Sequence, residues 1–539
     1  MSNKLFTEFV GENTNVKSGR LGKSSSFDFM SEVDKTIKRN TPNVSYTENG
    51  AKGYRTTGKA LLDLNFQVTA LRNQSEKEIY NKFMDAFYED PLVAWKWLFF
   101  VRDVRGGLGE RRTFRAIIKQ ITEVRTQEMA VLIPYIAEYG RYDDLWCLLD
   151  TSLKPIVIKL INNQLEADIT AYQANKSISL LAKWLPSRNA SSKETKRKAD
   201  IIIKELGITE KTYRKLLSKL RAKLNVVETL MTAKKWTVID YNAVPAKANL
   251  KYNSAFLRND EERRRTYLAA LEKGDKSVKI NASTLFPHEI VHKYGSYKDI
   301  ALEEMWKNLP DYVKGGQNVM VVADGSGSMY SRVDYSSGVT AIEVANALAI
   351  YFAERASGVY KDKYITFSSR PKYVSFKNAT SLKEKIQIAR RHNEIASTNI
   401  EAVFDLILKT AKDKQLSQED LPKTILVISD MQFNGCVCNN KGDRVSDTLF
   451  NNIERRYTNA GYKIPHLVFW NLMSRSNSTI PVTTNEMGVA LISGYSPALC
   501  KMVLSDKTDP YEALLEQLNT ERYQPIEDAL KGEKESCSM

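Results

Sequence analysis

Cysteine and histidine are both scarce, with five and four in 539 residues. Cys147, Cys436, Cys438, Cys500 and Cys537 are scattered. The one close pair, Cys436-x-Cys438, has no second pair or neighbouring histidine to complete a zinc site. A disulfide scaffold and a cysteine-rich zinc module are therefore excluded, and the thiols read as reduced. Long apolar runs are missing too: no stretch approaches the roughly 18 residues that span a bilayer. Met1–Val10 carries no apolar segment of a secretory leader, so the expected location is cytoplasmic. A Gly-x-x-x-x-Gly-Lys-Ser/Thr loop is also absent, which removes the commonest mononucleotide site.

Acidic residues are short in one half only. Residues 1–310 hold 52 Lys and Arg against 37 Asp and Glu, whereas residues 311–539 hold 27 of each. Most of the excess lies within 151–265, with 24 basic and 11 acidic residues, and the stretch 183–223 has 13 against 4. Charge segregated in this way points to a polyanion-binding face, the alternative being solvated helix surfaces. The candidate phosphate contacts there are Lys196, Arg197, Lys198, Arg214, Lys215, Lys219, Arg221 and Lys223. Tyr213 is placed to stack on a base, and Arg263, Arg264 and Arg265 extend the surface.

The length calls for at least two domains. Residues 1–58 are rich in Gly, Ser, Asn and Thr and read as a flexible arm. Residues 59–310 read as an all-α domain of short helices in series, of the HEAT-like solenoid or ring type, without a fixed repeat. Ser75-x-x-Glu78 is a capping box, Pro91 opens a helix apolar nearly all round, and Ser191-x-x-Glu194 and Thr209 cap two basic helices. The stretch 236–310 is less regular. Residues 311–505 alternate strands (318–323, 363–368, 371–376, 424–429, 466–472, 488–493) with helices (339–356, 380–391, 399–413, 445–459). That pattern is a doubly wound α/β domain. Only Ser369-Arg370 separates the second and third strands, which forces an antiparallel hairpin at the sheet edge. Residues 506–539 read as a helix at 510–519 followed by a frayed polar tail.

Asp324-Gly-Ser326-Gly-Ser328 follows the first of these strands. One carboxylate and two hydroxyls on a single turn are hard oxygen ligands of the kind Mg²⁺ takes, and Ca²⁺ and Mn²⁺ favour the same donors. Thr398 precedes a later helix, and Asp430 ends the strand at 424–429. Together these five residues resemble the metal-ion-dependent adhesion site (MIDAS) of von Willebrand factor A (vWA) domains. The resemblance implies a non-catalytic divalent-metal site at Asp324, Ser326, Ser328, Thr398 and Asp430, most simply for Mg²⁺. Met431, where many vWA domains have a small residue, departs from the pattern.

Arg102-Asp-Val-Arg105-Gly-Gly-Leu-Gly109-Glu-Arg111-Arg112 joins two helices. Its glycines permit a tight turn, and a phosphate could sit at the helix start near Gly109. The alternative is a structural turn whose arginines pair with Asp103 and Glu110. With Tyr139-Gly-Arg-Tyr-Asp-Asp-Leu-Trp146, Lys183-Trp-Leu-Pro-Ser187 and Gly488–Ser496, this turn resembles the TROVE (Telomerase, Ro and Vault) proteins. The closer likeness is to the TROVE-like helical-plus-vWA proteins of plants, fungi and phages. The likeness runs over roughly residues 60–500. It implies a Ro-like ribonucleoprotein component binding structured or misfolded noncoding RNA, with Arg102, Arg105, Arg111 and Arg112 joining the contacts above.

Two other readings compete. A metal-dependent protein-interaction adaptor would use the same MIDAS residues to capture an acidic partner and would have no use for RNA. An enzyme is not expected, because the carboxylates are single per loop and the histidines form no triad. His288-Glu-Ile-Val-His292 does match H-E-x-x-H. It has no third ligand in view and lies between Pro287 and Lys293-Tyr-Gly295, so it reads as an inter-domain helix.

Overall fold

The computed structural model describes residues 44–46, 52–295, 297–313, 318–333, 338–394, 399–431, 447–473, 489–496, 499 and 509–538. The chain divides into two compact units, Met1–Val44 and Ser45–Met539, and all that follows belongs to the second.

Helices fill the first part: α1 Ala60–Phe66, α2 Glu76–Glu89, α3 Pro91–Arg102, α4 Arg111–Ile121, α5 Thr126–Leu132, α6 Lys154–Gln173, α7 Lys193–Glu205 and α8 Glu210–Lys223. They continue with α9 Ala246–Asn259, α10 Glu261–Glu272, α11 Pro287–Lys293 and α12 Ile300–Lys307. The capping box forms, with Glu78 N donating to Ser75 Oγ at 3.3 Å and Ser75 N to Glu78 Oε2 at 2.8 Å. Every residue of α3 from Val93 to Arg102 is buried, as its all-round apolar sequence demands. Two boundaries differ from expectation. Ser192, not Ser191, caps α7, accepting from Thr195 N at 3.3 Å; adjacent serines are equally competent caps. The stretch 236–310 is mostly helical, because Asp260 ends α9 and precedes α10 without a loop.

The second part is a mixed six-stranded sheet: β1 Val319–Asp324, β2 Lys363–Phe367, β3 Tyr373–Ser375, β4 Thr424–Ser429, β5 His466–Asn471 and β6 Val489–Ser493. The order is β3-β2-β1-β4-β5-β6, parallel except for the antiparallel edge pair β2–β3. This is the doubly wound order with the expected edge hairpin, although β3 begins two residues later than expected and the connection is Ser368–Lys372 rather than Ser369-Arg370. Helices α13 Ala341–Arg355, α14 Leu382–Arg391, α15 Ile400–Asp413 and α16 Asp447–Asn459 alternate with the strands. β1 and β4 are buried along their whole length, which explains their near-continuous apolar sequence.

The two parts share one core. Phe66 of α1 packs into the cluster beneath β1, β2 and β4. Asn471 Nδ2 donates to Phe66 O at 3.2 Å, and the Thr69 and Ser493 hydroxyls meet at 3.0 Å. The C-terminal segment corrects the frayed-tail expectation. After α17 Pro510–Leu518, Gln524–Ser538 forms α18, and Tyr523, Ile526 and Leu530 are buried. Lys96, in the middle of α3, holds Glu527 at 2.5 Å and Asn519 at 2.9 Å. The tail therefore returns to the helical part and closes over α3.

Candidate metal centre and nucleic-acid interface

The sheet order reverses between β1 and β4, so the loops leaving these neighbours open a crevice at their carboxyl ends. Asp324 ends β1 and Asp430 follows β4; both are buried. Asp324 Oδ1 accepts from Ser326 N at 2.9 Å, and Oδ2 accepts from Ser429 Oγ at 2.6 Å. The hydroxyls of Ser326 and Ser328 lie 3.2 Å apart. Burial pushes the Asp324 carboxyl pKa up, with the hydrogen bonds from Ser429 and Ser326 opposing it. No Lys or Arg pairs with Asp324 among the described residues. Gly325 is needed for space, since a Cβ there would stand 2.7 Å from Glu394 N. Met431 takes a left-handed φ of 60° and is buried in the sheet core. Such a conformation in a non-glycine residue costs about 1–2 kcal/mol and marks a place where loop shape is imposed.

A buried carboxylate that meets no cation among the described residues, beside two hydroxyls 3.2 Å apart, fits a hard divalent ion. Ser326, Ser328 and the carboxylates of Asp324 and Asp430 are the residues that would hold it. Thr398 lies outside the described residues, as do Cys436, Cys438 and Gly488. Among the described residues no three His, Cys, Asp or Glu side chains converge on a metal position. His288 is buried against Phe286 and Tyr495, and His292 Nδ1 faces Glu343 Oε2 at 3.1 Å.

The predicted basic residues separate into two groups. Arg214 and Lys215 are exposed on α8 and, with Arg188, Lys211 and Arg221, line a cleft of about 830 Å³ that contains one carboxylate, Glu228. Lys219 is exposed on the same helix. Arg221 itself is committed to structure, donating to Ala182 O, Leu185 O and Ser187 Oγ, each at 2.8 Å. Tyr213 corrects the stacking expectation: it is wholly buried, and its hydroxyl donates to Pro186 O at 2.9 Å. On α7, Arg197 is held by Asp150 and Glu194, and Lys198 lies 3.4 Å from Glu194, whereas Lys196 is half-buried. Arg264 is buried among Tyr241, Phe256 and Tyr267 and does not extend the surface. Arg188 and Lys211 are not singled out by the sequence pattern; they lie beside the starts of α7 and α8, and Arg188 is held by Asp200 at 2.6 Å.

The glycine turn is closed by the chain itself, so the N–H groups of Leu108, Gly109 and Glu110 are not open to a phosphate, whereas those of the first turn of α4 are not engaged by the turn. Leu108 N donates to Phe100 O and Glu110 N to Val101 O, at 3.1 and 2.7 Å. A Cβ at Gly107 would strike the Phe100 carbonyl, and one at Gly106 would meet Arg522. Asp103 and Glu110 are paired, by Arg522 and Arg72, rather than by the turn's own arginines. Arg102 is buried on Asp144 at 2.8 Å and is unavailable to a ligand, which corrects its assignment. Arg112 donates to Leu71 O and Gln74 O, while Arg105 and Arg111 are exposed.

The molecule is thus a helical region joined to a vWA-like sheet domain with a candidate oxygen-ligand metal centre at its switch point. Two family models match it, both described as domains of unknown function: DUF2828 over residues 47–124 and 191–321, and DUF7788 over 318–537. The uncharacterized protein L728 of Acanthamoeba polyphaga mimivirus is 31% identical over 525 residues, covering 90% of this chain and 89% of that one. The chain belongs to the family of that mimivirus protein. The crystal structure of the Deinococcus radiodurans RO (RSR) protein matches at 13% identity over 80% of this chain and 92% of that chain. Its TM-score of 0.33 is too low to support a conclusion.

Proposed function

We propose that this protein is an RNA-binding scaffold of Ro type. On this reading the helical region holds structured noncoding RNA through the α8 cleft, and the sheet domain carries a Mg²⁺ site with a ligating rather than a catalytic role. The observation that carries the reading is the charge imbalance of residues 1–310, together with a cleft lined by Lys211, Arg214 and Lys215 and by one carboxylate, Glu228, with Arg188 and Arg221 in its wall held by Asp200 and by the 182–187 turn. Phosphate contacts of this kind set affinity and salt dependence and leave sequence choice to other features. The metal would be held by Ser326, Ser328, Asp324 and Asp430, and would leave sites for water or a partner carboxylate.

The test is filter binding of a structured RNA to the full chain across a salt series, with Mg²⁺-dependent thermal shift measured in parallel. Replacing Arg214 and Lys215 by Ala should weaken binding and lower the salt slope by about one per lost contact. Asp324→Ala should abolish the Mg²⁺ shift while leaving RNA affinity nearly unchanged. No RNA affinity, combined with a protein partner lost in Asp324→Ala, would establish the adaptor instead.

A further inference from the structure

Three guanidiniums gather on two carboxylates beside the start of α4, and a fourth stands next to them. Arg102 and Arg115 both hold Asp144, at 2.8 and 2.6 Å. Arg115 and Arg141 then share one oxygen of Asp143, at 3.0 and 2.6 Å. The fourth, Arg111, is the first residue of α4, and among the described residues it makes no hydrogen bond or ion pair. It lies one turn before Arg115 on the same face of α4, and partial desolvation, then the neighbouring Arg141 and Arg115, lower its guanidinium pKa against the pull of Asp143 and Asp144. Both carboxylates are already committed, so the cluster keeps two positive charges in excess. Like charges held this close are costly unless an anion joins them. No side chain caps α4, so its first N–H groups add to the same field. Arg141 is fixed flat on the Trp184 ring, 4.0 Å from its centroid. From Trp184 the chain leads through Leu185 and Pro186 to Ser187 on the wall of the α8 cleft.

We propose that the Arg111–Arg115–Arg141 cluster is a seat for a dianionic phosphate group. Resting on the RNA reading above, its occupant is a terminal phosphomonoester of the bound strand. The excess of two charges matches a group carrying about −1.5 to −2 at neutral pH, with three acceptor oxygens. An internal phosphodiester offers a single charge and would leave the cluster unbalanced. Planar guanidiniums suit such an oxygen set better than ammonium groups do.

The experiment uses the full chain and three single-stranded RNA oligonucleotides of one sequence, carrying a 5′-phosphate, a 3′-phosphate or neither, read by fluorescence anisotropy. Inorganic phosphate at constant ionic strength is tested separately by thermal shift. One phosphorylated form should bind about tenfold tighter than the unphosphorylated strand, the scale of one or two charge-assisted hydrogen bonds. Arg111→Gln should erase that ratio, Arg111→Lys should keep part of it, and Arg214→Ala with Lys215→Ala should weaken all three strands alike. Inorganic phosphate should raise the Tm of the native chain and not of Arg111→Gln. Equal binding of the three strands with no phosphate effect overturns the seat. Phosphate stabilisation of the native chain alone, with no strand bound, keeps the seat and removes the RNA reading.

Discussion

The helical region and the sheet domain carry polar groups in opposite ways. In the sheet domain the candidate ligands are few and are placed by topology: Asp324 and Asp430 sit at the ends of adjacent buried strands, and Ser429 ties one to the other. In the helical region cations are abundant, yet many serve the fold. Arg102, Arg221 and Arg264 are spent on carboxylates, carbonyls and aromatic rings, while Arg214, Lys215 and Lys219 face solvent. Charge counting locates a surface, whereas strand order locates a site. The difference lies in what is costly: a buried carboxylate must be placed and satisfied, and a surface lysine need not be.

The largest expected effect breaks the assumption that a basic motif is a ligand motif. Arg102→Ala should destabilise the chain by about 3 kcal/mol, the low end for losing one partner of a buried ion pair, because Arg115 still neutralises Asp144. Urea unfolding measures it. Unchanged stability with a large loss of RNA affinity would return Arg102 to the interface.

A second effect sharpens the comparison where the two regions meet. His288 is buried beneath Tyr495 of the sheet domain, and burial drives its pKa down to about 4, with Arg72, Lys247 and His292 adding and Glu289 opposing. The folded pKa lies below the unfolded value near 6.5, so the unfolded chain binds the proton first. Stability is therefore undiminished above pH 6.5, falls as pH drops through 6.5 toward 4, and levels below that. The loss amounts to about 3 kcal/mol across this window. His288→Phe should flatten that slope in denaturant midpoints taken between pH 7 and 4.5; an unaltered slope would assign it to carboxylates instead.

Much of the sheet domain was legible because its signals are local and redundant. Apolar strands, capped helices and a connection too short for a crossover helix each fix one choice, and five of the six strands start within one residue of their expected positions. The helical region was legible as helices and not as contacts. Nothing in the sequence of α8 says that Tyr213 points inward to Pro186 or that Arg221 clasps the 182–187 turn. Both are amphipathic side chains whose burial depends on a partner some 30 residues away. The tail misled for a related reason. Residues 521–539 are polar overall, but Tyr523, Ile526 and Leu530 form a narrow buried stripe on a segment that packs against α3 and α5, some 400 residues earlier. The Tyr139–Trp146 motif, informative as a resemblance, is physically an ion-pair frame in which Gly140 leaves room for the Asp144 carboxylate and the Arg102 guanidinium.

The smallest effect tests whether exposure alone makes a contact. Arg197 lies in the densest basic stretch and is bonded to Asp150 and Glu194, each at 2.7 Å. Its charge is already balanced on the protein, and releasing it to a phosphate would strand two carboxylates beside the RNA. Surface pairs of this sort contribute about 0–1 kcal/mol to stability. Arg197→Ala should therefore change Tm and RNA affinity little, less than about twofold in Kd, whereas Arg214→Ala, with no carboxylate bound to it among the described residues, should do more. Equal losses from the two would mean that the ion pairs on α7 open when RNA arrives, and the interface would then extend from α8 across α7.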